Sequence, residues 1–500
     1  MRGVSGEIPA VVPGVARGGP GCAAVAGGSA TTVDAAVAVL EAGGHAVDAA
    51  LAAGFASAVG EPTLSSLGGG GFLLVADPGQ DPVVLDFFVD VPGLGGTPRE
   101  PHVDTLCVTY GSDAQQSFHV GWGTVATPGC FTGYLDAHRR WGRLPLADIC
   151  APAIRAAREG VRLDAVQIEF IEVIGAILRL TSASDELYAA PRAGQPFRDP
   201  AYADLLEGIA RGDITGPADP PFGEALVEAM RANGGLVTMQ DLRSYAPVLR
   251  RPIRARRGSG DTGADIWTNP PPSFGGSIIL EALGCTPPSR DAVSLWPALV
   301  AEIRAATQRR RQHDLDAGAT QVVRGTTHVS IVDAEGRVAA LSVSNGSGSG
   351  TVVQGVSLNN MLGEEDLNPA GLHALPPGTR MGSMMAPTMV RTADGAILAA
   401  GTGGSERIRS AISGVIARCL DLGYDVPDAI AAPRLHPGEG LLDLEPGLAE
   451  EVLAVLRADR VREWAEPDLY FGGVHAVRRA PDGSVEAIGD VRRGGAVAVI

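Results

Sequence analysis

RGTTHVSIVDAEGRVAALSVSNGSGSG, residues 324–350, is the stretch whose reading decides the fold of this chain. Thr327, Val329 and Ile331 alternate with His328, Ser330 and Val332, the period-two pattern of a strand with two different faces. The strand opens on Gly-Thr-Thr-His and its sequel ends in a run of serines and glycines. A threonine hydroxyl is a poor nucleophile in water and needs an adjacent base. A chain-terminal threonine carries its own, a free α-amine that titrates near ~8. Thr326 gains that amine only if the Gly325–Thr326 bond is cut. Glycine at 325 tolerates the dihedrals that expose a carbonyl to attack. The polar segment RRRQHDLDAGATQVV, residues 309–323, reads as an exposed loop that supplies slack. On the residues alone, an ordinary strand beginning Thr-Thr is the stronger reading.

Working outward, residues 31–59 read as two Ala-rich helices broken at Gly43–Gly44, both packed closely through small residues. The glycines at 68–71 lead into a hydrophobic strand. Without G-K-[ST] they indicate close backbone packing rather than a phosphate cradle. Residues 129–245 read as mainly helical, a strand-rich part resumes near Ile253, and a helix is expected around 292–308. The C-terminal segment reads as a hairpin turning at Asp482–Gly483. Residues 1–21 read as an extended lead-in. Strands and helices mix without regular βαβ units, which favours a layered architecture over a doubly wound sheet.

Composition excludes several functions. The net charge is −17 and there is no lysine. The charge disfavours a phosphate-tracking basic stripe, and the absence of lysine rules out a Walker-type P-loop, a lysine Schiff base and a Ser–Lys dyad. Six cysteines, at 22, 107, 130, 150, 285 and 419, form no C-x-x-C pair and suit a reducing compartment. No H-E-x-x-H or G-x-S-x-G occurs. No apolar run reaches membrane-spanning length and residues 1–21 lack a signal-peptide core, so the expected location is cytoplasmic, with no nucleic-acid or membrane partner. The run Glu364–Glu365–Asp366 reads as a solvated surface on its own.

The order of motifs resembles the γ-glutamyltranspeptidase family of N-terminal-nucleophile hydrolases. It includes AGGHAVDAALAAGFASAVGEPTLSSLGGGGFLL, GTVATPGCFTGYLDAHRRWGRLPLADICAPAIRAAREG, GGLVTMQDLRSY, WTNPPPSFGGS, GTTHVSIVDAEG, LNNMLGEED, SMMAPT and GTGGSERIRSAI, from about residue 22 to 500. The resemblance implies an α+β fold, a four-layer αββα sandwich built from both segments of a self-cleaved precursor. Those segments are residues 1–325 and 326–500, held as a heterodimer. It implies Thr326 as nucleophile, Ser344 touching it, Asn345 binding substrate, and Gly403–Gly404 as the oxyanion hole. Glu364 or Glu365 falls at the amine-binding acidic position. Thr327 either positions the nucleophile or packs on the strand. No metal or organic cofactor is implied, and the partner is a small-molecule acyl substrate.

Two positions depart from the family pattern. Phe88 in LDFFVDVPG stands where an arginine holds the substrate carboxylate, and a phenylalanine offers no bidentate fork. Ser383–Met384 replaces a pair of serines. Three functions follow: a γ-glutamyl hydrolase or transferase with a rearranged pocket; a relative that cleaves a C–C or amide bond next to a carbonyl in a secondary-metabolite pathway of the 4-alkylproline kind; and a non-catalytic binding relative. Thr326, Ser344 and the glycine pair make the last the weakest.

Overall fold

The computed structural model describes residues 14–96, 100–110, 114–260, 263–313, 325–368, 370–438, 440–456 and 460–500. Two seven-stranded antiparallel sheets form its centre. The first contains β2 (Ala24–Gly27), β3 (Gly70–Ala76), β4 (Val83–Phe87), β5 (Val248–Arg250), β8 (Gly325–Val332), β9 (Val338–Gly346) and β14 (Ala496–Val499), in the order β14-β2-β8-β9-β3-β4-β5. The second contains β1 (Gly14–Gly18), β6 (Ile253–Arg257), β7 (Ala264–Thr268), β10 (Thr388–Thr392), β11 (Ile397–Gly403), β12 (Gly473–Arg479) and β13 (Val485–Gly489), in the order β1-β13-β12-β11-β10-β7-β6.

Helices α1 (Ala30–Glu41), α2 (Ala46–Gly60), α3 (Cys130–Trp141) and α4 (Leu146–Glu159) cover the outer face of the first sheet, with α5 (Ala165–Val173) beside them. Helices α6 (Gly275–Cys285), α7 (Ala292–His313) and α8 (Arg407–Ala417) cover the second. The result is the expected αββα sandwich. The helix break at Gly43 has φ +90°, and His45 with Asp48 closes a capping box that starts α2. Nearly every residue of α2 is buried, since alanine and glycine let it lie flat on β8 and β9.

Two expectations change in detail. The lead-in contains a strand, because β1 pairs with β13 from Gly14↔Gly489 to Gly18↔Val485. The helix expected around 292–308 runs on to His313, taking in part of the segment read as a loop. Residues 314–324 of that segment lie outside the described residues. The C-terminal hairpin is present, with Gly483 at φ +89°.

Every residue of β8 is buried, and its two faces separate as the alternation requires. Val329 and Ile331 join the core under the helices, each contributing about 1.5–3 kcal/mol of burial. Thr326, His328, Ser330 and Val332 face the other sheet. His328 is held between two serines, with Nδ1 2.8 Å from Ser342 Oγ and Nε2 2.8 Å from Ser330 Oγ. Ser330 donates its own proton to the His475 carbonyl at 3.1 Å, so it accepts from Nε2–H. Burial, with His475 adjacent, holds His328 neutral, far below the usual imidazole range. The motif histidine is thus a support under the strand.

Candidate active site

The start of β8 is irregular where the chemistry is expected. Gly325 pairs with Gly346 but Thr326 pairs with Ser344, so a bulge leaves Asn345 without a partner across the Gly325–Thr326 peptide. Thr326 Oγ1 donates to Ser344 Oγ at 3.2 Å. Ser344 Oγ in turn donates to the Gly325 carbonyl at 2.5 Å and accepts from the Gly346 amide at 3.0 Å. One serine therefore touches both the candidate nucleophile and the carbonyl it would attack.

Gly403 ends β11 directly over this point. A Cβ there would lie 2.1 Å from the Thr326 carbonyl oxygen, so only glycine permits the approach. Gly404 follows at φ +122°, and Ser405 at φ +53° is one of few non-glycine residues in the left-handed region among the described residues. Adjacent glycines with this backbone can aim N–H groups at a developing oxyanion.

The other expected residues separate. Asn345 accepts from Ser66 Oγ at 3.2 Å and lines a small cavity with Pro62, Thr63, Ile174 and Tyr188. Glu364 is buried, contrary to the solvated run its neighbours suggested. It accepts from the Ser347 amide and hydroxyl at 3.1 and 3.2 Å, bracing the turn that follows Asn345. Glu365 points elsewhere, 3.2 Å from His119 Nε2 and partly exposed. Ser383 accepts from the Met385 amide at 3.1 Å, and its carbonyl receives Phe274 N and Ser273 Oγ at the start of α6. Its recorded partners all belong to that turn. Phe88 is buried and stacked on Phe72, ring centroids 5.7 Å apart. Its Cα lies 3.1 Å from the Cβ position of Gly70, the β3 residue that pairs with Ser344. The arginines near it are engaged: Arg250 with Asp86 at 2.6 Å, and Arg380 with both Asp86 and Asp90.

Three residues here escaped the sequence reading, and Glu61 is the first. Thr327, on the helix side of β8, donates to the buried carboxyl of Glu61 at 2.5 Å. Burial, opposed by hydrogen bonds from Thr327 and Thr32, raises that carboxyl to about 7. Arg407 and Arg493 are the other two. Arg407 Nε donates to the Tyr470 carbonyl at 3.0 Å and Arg493 Nε to the Leu469 carbonyl at 3.1 Å. Both side chains are buried, and their terminal nitrogens meet no hydrogen-bond partner among the described residues. Arg493 Nη1 lies 3.0 Å from the Cβ position of Gly403. Burial and the neighbouring Arg407 charge lower Arg493 to about 9. The only local hint for Arg407 is its place three residues after Gly404, and Arg493 carries none.

A sandwich of two antiparallel sheets between helix layers, with a Thr-Thr-His strand at its centre, has the N-terminal-nucleophile hydrolase fold. Residues 32–297 and 288–500 match the family model described as gamma-glutamyltranspeptidase, so the chain belongs to the γ-glutamyltranspeptidase family. It is 30% identical to the glutathione hydrolase proenzyme of Pseudomonas aeruginosa, covering 80% of each chain. It is 28% identical to the acylase ACY 1 proenzyme of Pseudomonas sp. (strain SE83), over 89% of this chain and 88% of that one. The cephalosporin acylase from Bacillus halodurans shares the fold at a TM-score of 0.76 with 23% identity, over 97% of this chain and 96% of that one. Among the described residues, no helix is long and apolar enough to cross a membrane.

Proposed function

We propose that this chain is a self-processing threonine hydrolase or transferase that cuts itself between Gly325 and Thr326. The new N-terminal Thr326 then transfers an acyl group, γ-glutamyl or related, from a small-molecule substrate. The observation that carries this reading is Ser344, bonded at once to Thr326 Oγ1 and to the Gly325 carbonyl. As Thr326 Oγ attacks the Gly325 carbonyl carbon, its proton passes to Ser344 Oγ. Ser344 gives its own proton to the carbonyl oxygen. Collapse returns the hydroxyl proton of this neutral intermediate, through Ser344, to the nitrogen as the C–N bond breaks, leaving an ester and a free α-amine, and water hydrolyses the ester. In the mature heterodimer that amine is the base for Thr326. Gly403 and Gly404 would receive the oxyanion, worth about 2.7–4 kcal/mol per well-placed donor.

The acyl group is the finer question. Phe88 supplies no charge, and Arg250 and Arg380 are taken by Asp86 and Asp90. Arg493 places an unmet guanidinium nitrogen beside Gly403, with Arg407 rising from next to Gly404, which favours an acyl substrate bearing a carboxylate held from that side. A second reading, a bulkier and less polar acyl group as in a biosynthetic relative, is favoured by the stacked Phe72–Phe88 pair near Gly70.

Mass spectrometry of the purified protein tests the first step. Two chains are expected, the smaller beginning Thr-Thr-His, and a single intact chain from active enzyme would overturn it. Comparing kcat/KM for γ-glutamyl, other carboxylate-bearing and neutral acyl anilides then separates the two substrate readings.

A further inference from the structure

Glu61 follows the last turn of α2, where its amide donates to the Ser57 carbonyl at 2.8 Å. Its side chain is buried at 1% exposure, and both carboxyl oxygens accept from hydroxyls. Oε1 takes Thr32 Oγ1 at 2.7 Å and Oε2 takes Thr327 Oγ1 at 2.5 Å. The charged group that faces it is another acid, Asp164 ahead of α5; Ser29 and Thr32 face it from the start of α1, and Thr327 from β8. A carboxyl buried without a cation is costly to keep ionised.

The backbone of the same residue reaches the other side of the Gly325–Thr326 bond. The Glu61 carbonyl accepts from the Leu64 and Ser65 amides at 2.9 and 3.3 Å, winding a turn. In that turn the Thr63 carbonyl oxygen and Leu64 Cα lie 2.7 and 3.2 Å from the Cβ position of Gly325. The Leu64 carbonyl accepts from the Asn345 amide at 3.3 Å, next to Ser344. Glu61 thus grips the residue after Thr326 with its side chain and backs Gly325 with its turn.

We propose that Glu61 is a positioning residue for self-cleavage, its carboxylate fixing Thr327 so that the Gly325–Thr326 peptide stays seated against Ser344. The proposal rests on the self-cleavage reading above. In the ionised form both oxygens accept, and Thr327 is held. Protonation takes one oxygen out of that arrangement and loosens the start of β8. Since the group titrates at about 7, cleavage strengthens as pH rises through neutrality.

The test follows cleavage of the full chain, freshly made in a cell-free reaction, on denaturing gels across about pH 6 to about pH 8. The wild-type rate is expected to step up about 5-fold or more over that range. Glu61→Gln should cleave about 10-fold more slowly at the upper end and show no step. Thr327→Val should behave like it, while Thr327→Ser, which keeps the hydroxyl, should restore the step. A Glu61→Gln chain that cleaves with the wild-type rate and profile overturns the proposal. So does one that only melts at a lower temperature with the wild-type profile intact. Should Glu61→Gln fail to fold, the Thr327 pair decides: equal profiles for the Val and Ser variants overturn it. A wild-type chain that never cleaves removes the self-cleavage reading itself, an outcome distinct from these.

Discussion

Thr326 on β8 donates its hydroxyl to Ser344 on β9 across 3.2 Å, and that serine donates onward to the carbonyl of Gly325. The proposed nucleophile, proton carrier and attacked carbonyl thus form one chain of hydrogen bonds. Only a bulge in the β8–β9 ladder makes this possible, because regular pairing would place Asn345 rather than Ser344 opposite Thr326.

Removing the serine hydroxyl should slow self-cleavage by about 10²-fold, the usual effect of deleting one donor to a reacting carbonyl. Ser344→Ala is expected to accumulate uncut chain on denaturing gels, and Ser344→Thr to cut. Thr326→Ala should remain a single chain of full mass. Cleavage of Ser344→Ala at the wild-type rate would take Ser344 out of the proton path.

Gly403→Ala would force a methyl to within 2.1 Å of the Thr326 carbonyl oxygen. The strand end must then shift, and both cleavage and melting temperature should fall. At Gly404, φ +122° is closed to a β-branched residue. Gly404→Val should lower turnover of the mature enzyme even where the fold survives. Full turnover by a folded Gly404→Val protein, judged by near-ultraviolet circular dichroism, would reduce these glycines to a turn.

The two unmet guanidinium groups predict opposite effects on stability and on catalysis. Arg493→Met removes a buried charge whose terminal nitrogens meet no hydrogen-bond partner among the described residues, so melting temperature should hold or rise. The same change should cost about 10- to 100-fold in kcat/KM for carboxylate-bearing acyl anilides, the worth of a charge-assisted hydrogen bond. Neutral acyl anilides should lose far less. Equal losses on both substrates would mean that Arg493 supports the glycine loop and does not meet the substrate.

Glu61 gives stability a pH dependence of definite sign. Its carboxyl rises from an ordinary 4.5 to about 7 in the fold, through burial. The folded state therefore binds this proton more tightly than the unfolded chain. The resulting stabilisation is complete below 4.5 and disappears as pH rises through about 7. The full swing is about 3 kcal/mol. In a Thr326→Ala background, which keeps one chain, the difference in urea midpoint between the parent and Glu61→Gln should move in favour of Glu61→Gln as pH is raised from acid to neutral. A constant difference would show that Glu61 does not titrate in this window.

Much of the fold could be read in the chain because the responsible forces are local. The alternation of Thr327, Val329 and Ile331 against His328, Ser330 and Val332 dictates a strand with one face to helices and one to a second sheet. Gly43–Gly44 stops one helix before His45 caps the next. The Asp482–Gly483 turn closes its hairpin within a few residues. The motif order around Thr326, Ser344 and Gly403–Gly404 likewise pointed to the elements that now meet.

What the linear chain could not show is which distant side chains share one buried volume. Glu61 and Thr327 are 266 residues apart and meet only because α2 lies flat on β8. Glu364 and Glu365 are neighbours with the same charge, yet one braces the turn after Asn345 and the other faces His119 near the surface. Arg407 and Arg493 lie 86 positions apart, and both are buried only where the second sheet, its covering helix and the C-terminal segment close around them. Periodicity and glycine conformation act over a few residues, so sequence alone determined the strand, its two faces and the helix breaks. Desolvation depends on the whole surrounding volume, so only the tertiary structure decided that the Glu61 carboxyl is buried between hydroxyls and that Arg493 brings an unmet nitrogen beside Gly403.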